Sequence, residues 1–266
     1  RVYVQADAVW VEDVGEVGEA TFQALRKFLL YGTKAKMENC GESWGLLLVS
    51  GPKSAEAVAA AFGIEVRALQ LLHTLPATIG GQQGLILRTE ETGEQDFEVL
   101  LPADAVPAAW NQLMTSGAPF DIKPVGAQAR ELLRIEAGLP KAGPDLNEEI
   151  VPPEANLEGK AFSLSKGCYP GQEVVARMDT YGNVRRHLVG LIIQDKTVPP
   201  AGSKLFSGDR EVGWVSSAVF SPQRNAALAF GFPLRDFSAP DTTLTVEVAG
   251  TRHQATVHAL PFQKHS

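Results

Sequence analysis

The chain has 266 residues, 44% hydrophobic and 21% charged, with 24 Lys and Arg against 31 Asp and Glu for a formal net charge of −7. That balance belongs to a globular protein with a substantial core and excludes disorder, collagen-like repeats and coiled coil as descriptions of the whole chain. A net-negative surface repels phosphate backbones, so no nucleic-acid partner is expected. No apolar run approaches the ~18 residues that cross a bilayer, so no membrane span is expected.

The first residues read as two short strands, 2–5 and 8–12, around an Ala6-Asp7 turn. A helix over 15–31 follows, with Phe22, Leu25, Phe28 and Leu29 on one face. A strand-like 35–38 and the apolar run 44–49 end at Ser50-Gly51-Pro52, and a helix over 54–62 stops at Gly63. Strands at 74–78, 85–89 and 96–101 precede a helix over 103–114 that closes at Ser116-Gly117. The strongest helical pattern, 128–137, ends at Gly138-Leu139-Pro140. This order predicts an α+β body built from two ferredoxin-like lobes.

Residues 139–160 form a long irregular crossing whose scattered acids, from Asp145 to Glu158, read as a surface loop. From Arg185 the texture changes to evenly spaced strands at 187–193, 211–219, 226–230, 244–248 and 253–258, which predicts a small antiparallel β-barrel. The expected organisation is therefore 1–160 for the body, 161–184 for a connecting loop and helix, and 185–266 for the barrel. The sequence opens at Arg1 rather than Met, and an upstream segment removed from it is expected.

Two cysteines, Cys40 and Cys168, are too few to hold a zinc ion or an iron–sulfur cluster by themselves, and no bound metal is expected. Nor do they make a disulfide scaffold, so a reducing compartment is expected: the cytoplasm, or a mitochondrion or plastid after removal of an upstream segment. The run Lys166-Gly167-Cys168-Tyr169-Pro170-Gly171-Gln172-Glu173 sets Cys168 in a tight turn before a helix with Val174, Val175 and Met178. Lys166 and the helix N-terminus both favour thiolate, which makes Cys168 the candidate functional thiol; the alternative is a small side chain plugging a helix entry. The histidines His73, His187, His253, His258 and His265 lack metal-ligand spacing and read as satisfied or exposed.

The run Lys166 to Glu173 resembles the Lys-Gly-Cys-Tyr-x-Gly-Gln-Glu signature of YgfZ-type folate-binding proteins, relatives of the glycine cleavage T-protein (aminomethyltransferase) that assist iron–sulfur cluster assembly or repair. Three further runs are similar to T-protein segments: Thr92 to Glu98, the helix Ala129 to Gly138, and Asp145-Leu146-Asn147-Glu148 followed by Pro152. A fourth, Glu211 to Ser217 with Ser221-Pro222, resembles the family's C-terminal barrel strand.

The resemblance implies a T-protein-like fold, tetrahydrofolate or a derivative as cofactor, and iron–sulfur assembly or client proteins as partners, with membership of a larger assembly open. It places the folate contacts on Glu98 and Arg130, roles their chemistry supports: a carboxylate accepts paired N–H groups of a pterin edge, and a guanidinium fork suits a carbonyl or carboxylate. A polar strand residue and a solvated helix residue are the alternatives. Glu91 and Asp96 stand where the family has Tyr and Gly, with Asp96 expected to bring like charge near Glu98. The family's catalytic Asp falls just before or at Arg1. Beside the accessory-factor reading stand a folate-dependent aminomethyl or one-carbon transferase and a non-catalytic scaffold subunit.

Overall fold

The computed structural model describes residues 1–13, 15–169, 171–181 and 184–263. It divides into two compact units, Arg1–Val125 and the chain from Gly126 on.

The first unit opens with a hairpin of β1 (Val2–Val4) and β2 (Val9–Val11), then helix α1 (Gly15–Arg26). The helix stops short of the predicted Tyr31. Phe28, Leu30 and Tyr31 are exposed, so no core rewards continuing it. Residues 35–38 belong to no strand despite their alternation, because a strand needs a ladder partner and they have none among the described strands.

Next come β3 (Trp44–Ser50), α2 (Ser54–Phe62), β4 (Thr74–Ile79), β5 (Gln82–Thr89), β6 (Asp96–Pro102) and α3 (Val106–Ser116). The four strands form one antiparallel sheet in the order β3-β6-β5-β4. One face carries Leu47, Val49, Ile86, Phe97, Val99 and Leu101 against Ala55, Val58 and Ala61 of α2 and Ala109 and Leu113 of α3. The other carries Leu85, Leu87 and Leu100 beneath Tyr3, Trp10 and Trp44. Apolar cover on both faces explains why β6 is buried along nearly all of its length.

The second unit begins with α4 (Ala127–Glu136) and the crossing, followed by α5 (Gln172–Tyr181). A closed six-stranded antiparallel barrel follows, in the order β10-β7-β12-β11-β8-β9. Its strands are β7 (Val189–Ile193), β8 (Lys204–Ser207), β9 (Arg210–Ser221), β10 (Ala226–Gly231), β11 (Thr243–Val248) and β12 (Thr251–His258). The fold is thus mixed α and β with a C-terminal barrel. Strand β8 is absent from the sequence reading, since four residues with one fully buried side chain, Leu205, give no periodic signal. Ala227 and Ala229 of β10 point into the barrel, while Leu228 and Phe230 pack outside it with Ile135 of α4. The small side chains sit where the barrel interior is narrow, and the large ones where a helix covers the outside.

Candidate functional site

Glu98 lies in the middle of β6, between Leu48 of β3 and Leu87 of β5 in register. Alternation alone would put it on a solvent face, yet it is only 4% exposed. The β1–β2 hairpin covers that face and brings Arg1 over it. The Arg1 guanidinium reaches Glu98 at 3.4 Å and Glu12 at 2.8 Å, and pairs with Glu91. The hydroxyl of Tyr3 donates to Glu12 at 3.0 Å. Burial, then the charges of Glu12 and Glu98, push the Tyr3 phenol well above its ordinary value, so it remains a donor. Oxygens of Glu12, Glu91 and Glu98 lie within 4.8 Å of one another. Three carboxylates around one guanidinium make an acceptor-rich cluster beside an apolar wall of Leu85, Leu87 and Leu100.

Asp96 does not add its charge to this cluster as the sequence suggested. Its carboxylate turns into the 91–95 loop, accepting from the N–H groups of Glu91 (2.6 Å) and Thr92 (2.8 Å) and from the Thr92 hydroxyl (2.7 Å). It organises the loop that carries Glu91.

Arg130 lies in the second unit, in the exposed first turn of α4. The last turn of α4 is buried through Arg134, Ile135 and Glu136. Arg134 donates to Asp145 (2.8 Å) and to the Leu139 carbonyl (2.6 Å), and pairs with Glu131. Asp145 is fully buried, and also accepts from the Lys141 N–H (2.9 Å), Ser216 (2.6 Å) and Ser217 (2.7 Å). Glu136 accepts from Ser221 at 2.7 Å. The crossing is therefore not simply the solvated acidic loop expected: Asp145 and Glu154 are both buried, because each carboxylate closes a local turn and so has its donors supplied.

Cys168 is exposed in a loop flanked by exposed Gly167 and Lys166, and it is a free thiol. The Lys166 ammonium lies 4.7 Å from the ring centre of the half-buried Tyr169. Gly171 takes a φ of +84°, which favours glycine, and the Gln172 N–H closes the turn onto the Tyr169 carbonyl. Glu173 stands in the first turn of α5. Pro170 and His265 lie outside the described residues. His253 bonds Asp195 and His258 stacks on Phe262, so both are satisfied histidines.

Residues 3–164 match the family model of the GCVT N-terminal domain, and residues 186–264 that of the glycine cleavage T-protein C-terminal barrel domain. The chain belongs to the glycine cleavage T-protein family. Among its T-protein relatives is the aminomethyltransferase of Saccharopolyspora erythraea, 33% identical over 234 residues that cover 87% of this chain and 63% of that protein. The aminomethyltransferase of Chlorobium luteolum is 28% identical over 250 residues, 93% of this chain and 68% of the relative. The crystal structure of the glycine cleavage system aminomethyltransferase T from Bartonella henselae is similar with a TM-score of 0.77 at 26% identity, over 93% of this chain and 66% of that one. The chain thus spans about two thirds of the length of these T-proteins. The signature run Lys166 to Glu173 falls between the two matched spans.

Sequence reasoning missed Arg1 as the partner of Glu98, and Glu12 and Tyr3 as the groups tied to that cluster. No local pattern links a chain segment to a strand almost a hundred residues away. It did quote the runs that hold Arg134, Asp145, Ser216 and Ser217, without seeing that they converge.

Proposed function

We propose that this T-protein family chain binds tetrahydrofolate and serves one-carbon, specifically aminomethyl, transfer. The observation that carries the reading is the buried Glu98 carboxylate, set among Leu48, Leu87 and Leu100 and held by Arg1. The residues present fit the cofactor: an acceptor-rich cluster bordered by apolar side chains suits the flat pterin ring with its paired N–H donors. Glu98 would accept those donors, Arg1 pairs with it, and Leu85, Leu87 and Leu100 exclude water. When bound, tetrahydrofolate supplies the nitrogen that takes up the one-carbon unit. The names of the relatives, all aminomethyltransferases, support this reading.

The test is a titration of the intact chain with reduced folates, followed through Trp10 and Trp44, which border the same apolar cluster. Saturable binding that weakens at least tenfold in Glu98→Ala is the expected result; equal binding by both proteins would remove Glu98 from the site.

A second reading rests on Cys168. An exposed free thiol in the Lys-Gly-Cys-Tyr-x-Gly-Gln-Glu run supports a YgfZ-type accessory role in iron–sulfur cluster assembly or repair, with the thiolate as working group. Cells lacking the protein should show reduced activity of cluster enzymes that Cys168→Ala fails to restore. Full restoration by that variant would end this reading.

A further inference from the structure

Asp96 opens β6 on the sheet face that Glu98 uses two residues later, yet its carboxylate folds back into the 90–95 loop that joins β5 to β6. It is fully buried there. Oδ2 accepts from the N–H groups of Glu91 and Thr92, and Oδ1 accepts from the Thr92 hydroxyl, which also bonds Ser50 of β3 at 2.6 Å. The start of the loop is thereby tied to two strands of the sheet. Glu91 and Asp96 are also the two positions at which this run departs from the T-protein pattern, and a bond of 2.6 Å joins them.

The Glu91 N–H belongs to the same peptide group as the Glu90 carbonyl. A trans peptide is planar, so its N–H and C=O point in opposite directions, and fixing one aims the other. That carbonyl accepts from the Arg1 guanidinium at 3.4 Å, and the Glu91 carboxylate pairs with the same guanidinium. Arg1 in turn reaches Glu98 at 3.4 Å. Glu12 also holds the guanidinium, at 2.8 Å, but it follows the hairpin and moves with Arg1, whereas the Glu90 and Glu91 contacts tie Arg1 to the sheet that carries Glu98. We propose that Asp96 is a positioning residue for Glu98: through the 90–91 peptide it holds Arg1 beside the carboxylate that takes up folate.

This inference rests on the folate reading above, and the experiment separates the two. Intact protein is titrated with 5-formyltetrahydrofolate, a stable reduced folate, as wild type, Asp96→Asn, Asp96→Ala, Arg1→Ala and the Asp96→Ala/Arg1→Ala double variant. In Asp96→Asn the amide oxygen keeps both loop N–H groups while the amide nitrogen donates to the Thr92 hydroxyl, so Kd should stay within about twofold of wild type. Asp96→Ala strands those N–H groups, and an approximately tenfold rise in Kd is expected. Arg1→Ala should raise Kd as well, and Asp96→Ala should add nothing further in that background. A merely structural role would add the same factor in both backgrounds, and that outcome overturns the proposal. So does an unchanged Kd in Asp96→Ala or in Arg1→Ala. A loss in Asp96→Asn equal to that in Asp96→Ala would assign the effect to the charge of Asp96 instead of its hold on the loop, and overturns the proposal too. If Asp96→Ala does not fold, Thr92→Val takes its place: without the hydroxyl that aims Oδ1, a smaller rise in Kd with the same dependence on Arg1 is expected, and a rise independent of Arg1 overturns the proposal. Wild type that binds no reduced folate, or binds it no better than Glu98→Ala, overturns the folate reading itself and the proposal with it.

Discussion

Glu98 and Asp96 stand two residues apart on one strand, and both are buried, yet their carboxylates do opposite things. Glu98 faces a guanidinium from the hairpin, while Asp96 spends its oxygens on the N–H groups of its own loop. Removing Asp96 strands those donors, so Asp96→Ala should lower stability by about 3 kcal/mol in urea unfolding. His187 supplies a pH prediction. Burial, then the charge of Arg235, lowers its pKa below the ordinary histidine value, with Glu154 acting the other way. The unfolded chain then takes up this proton first as pH falls. Stability is complete above about pH 6.5 and is lost as pH drops through the lower folded value. His187→Gln should flatten that fall, seen as a smaller change in the urea midpoint between neutral and mildly acid pH.

Among the elements, the strands read most clearly where one side chain in two is apolar, and β10 shows what happens where both faces are covered. Its residues Ala226 to Gly231 are all buried, and the alternation is of size rather than polarity. Strand β9 is longer than its apolar signal because Ser216, Ser217 and Ser221 are buried against carboxylates rather than against carbon. Gly213 on the same strand leaves room for neighbouring backbone: an added Cβ would press on the Phe232 carbonyl oxygen and lie 2.8 Å from the Pro233 Cα. Backbone cannot swing aside as a side chain does, so Gly213→Ala should cost about 3 kcal/mol, measured by thermal unfolding.

For the whole molecule, the second unit carries its own closed barrel, its own core on the barrel's outer face, and the polar ties of α4 to β9. A fragment beginning at Gly126 should therefore fold by itself, with a β-rich far-UV spectrum and one cooperative unfolding transition. A fragment lacking dispersed amide proton shifts would show that the unit needs the rest of the chain.

Legible in the residues alone were the α+β order, the barrel texture after Arg185, and the motif runs that tie the chain to the T-protein family. These are local properties, written in periodicity, turn residues and short fixed registers. It took the folded chain to show that Arg1 meets Glu98, that Asp96 turns away from it, and that Asp145 is buried as the junction of α4, the crossing and β9. Those outcomes depend on which faces are covered and which donors arrive from distant segments. A carboxylate carries the same letter whether water or a buried guanidinium satisfies it.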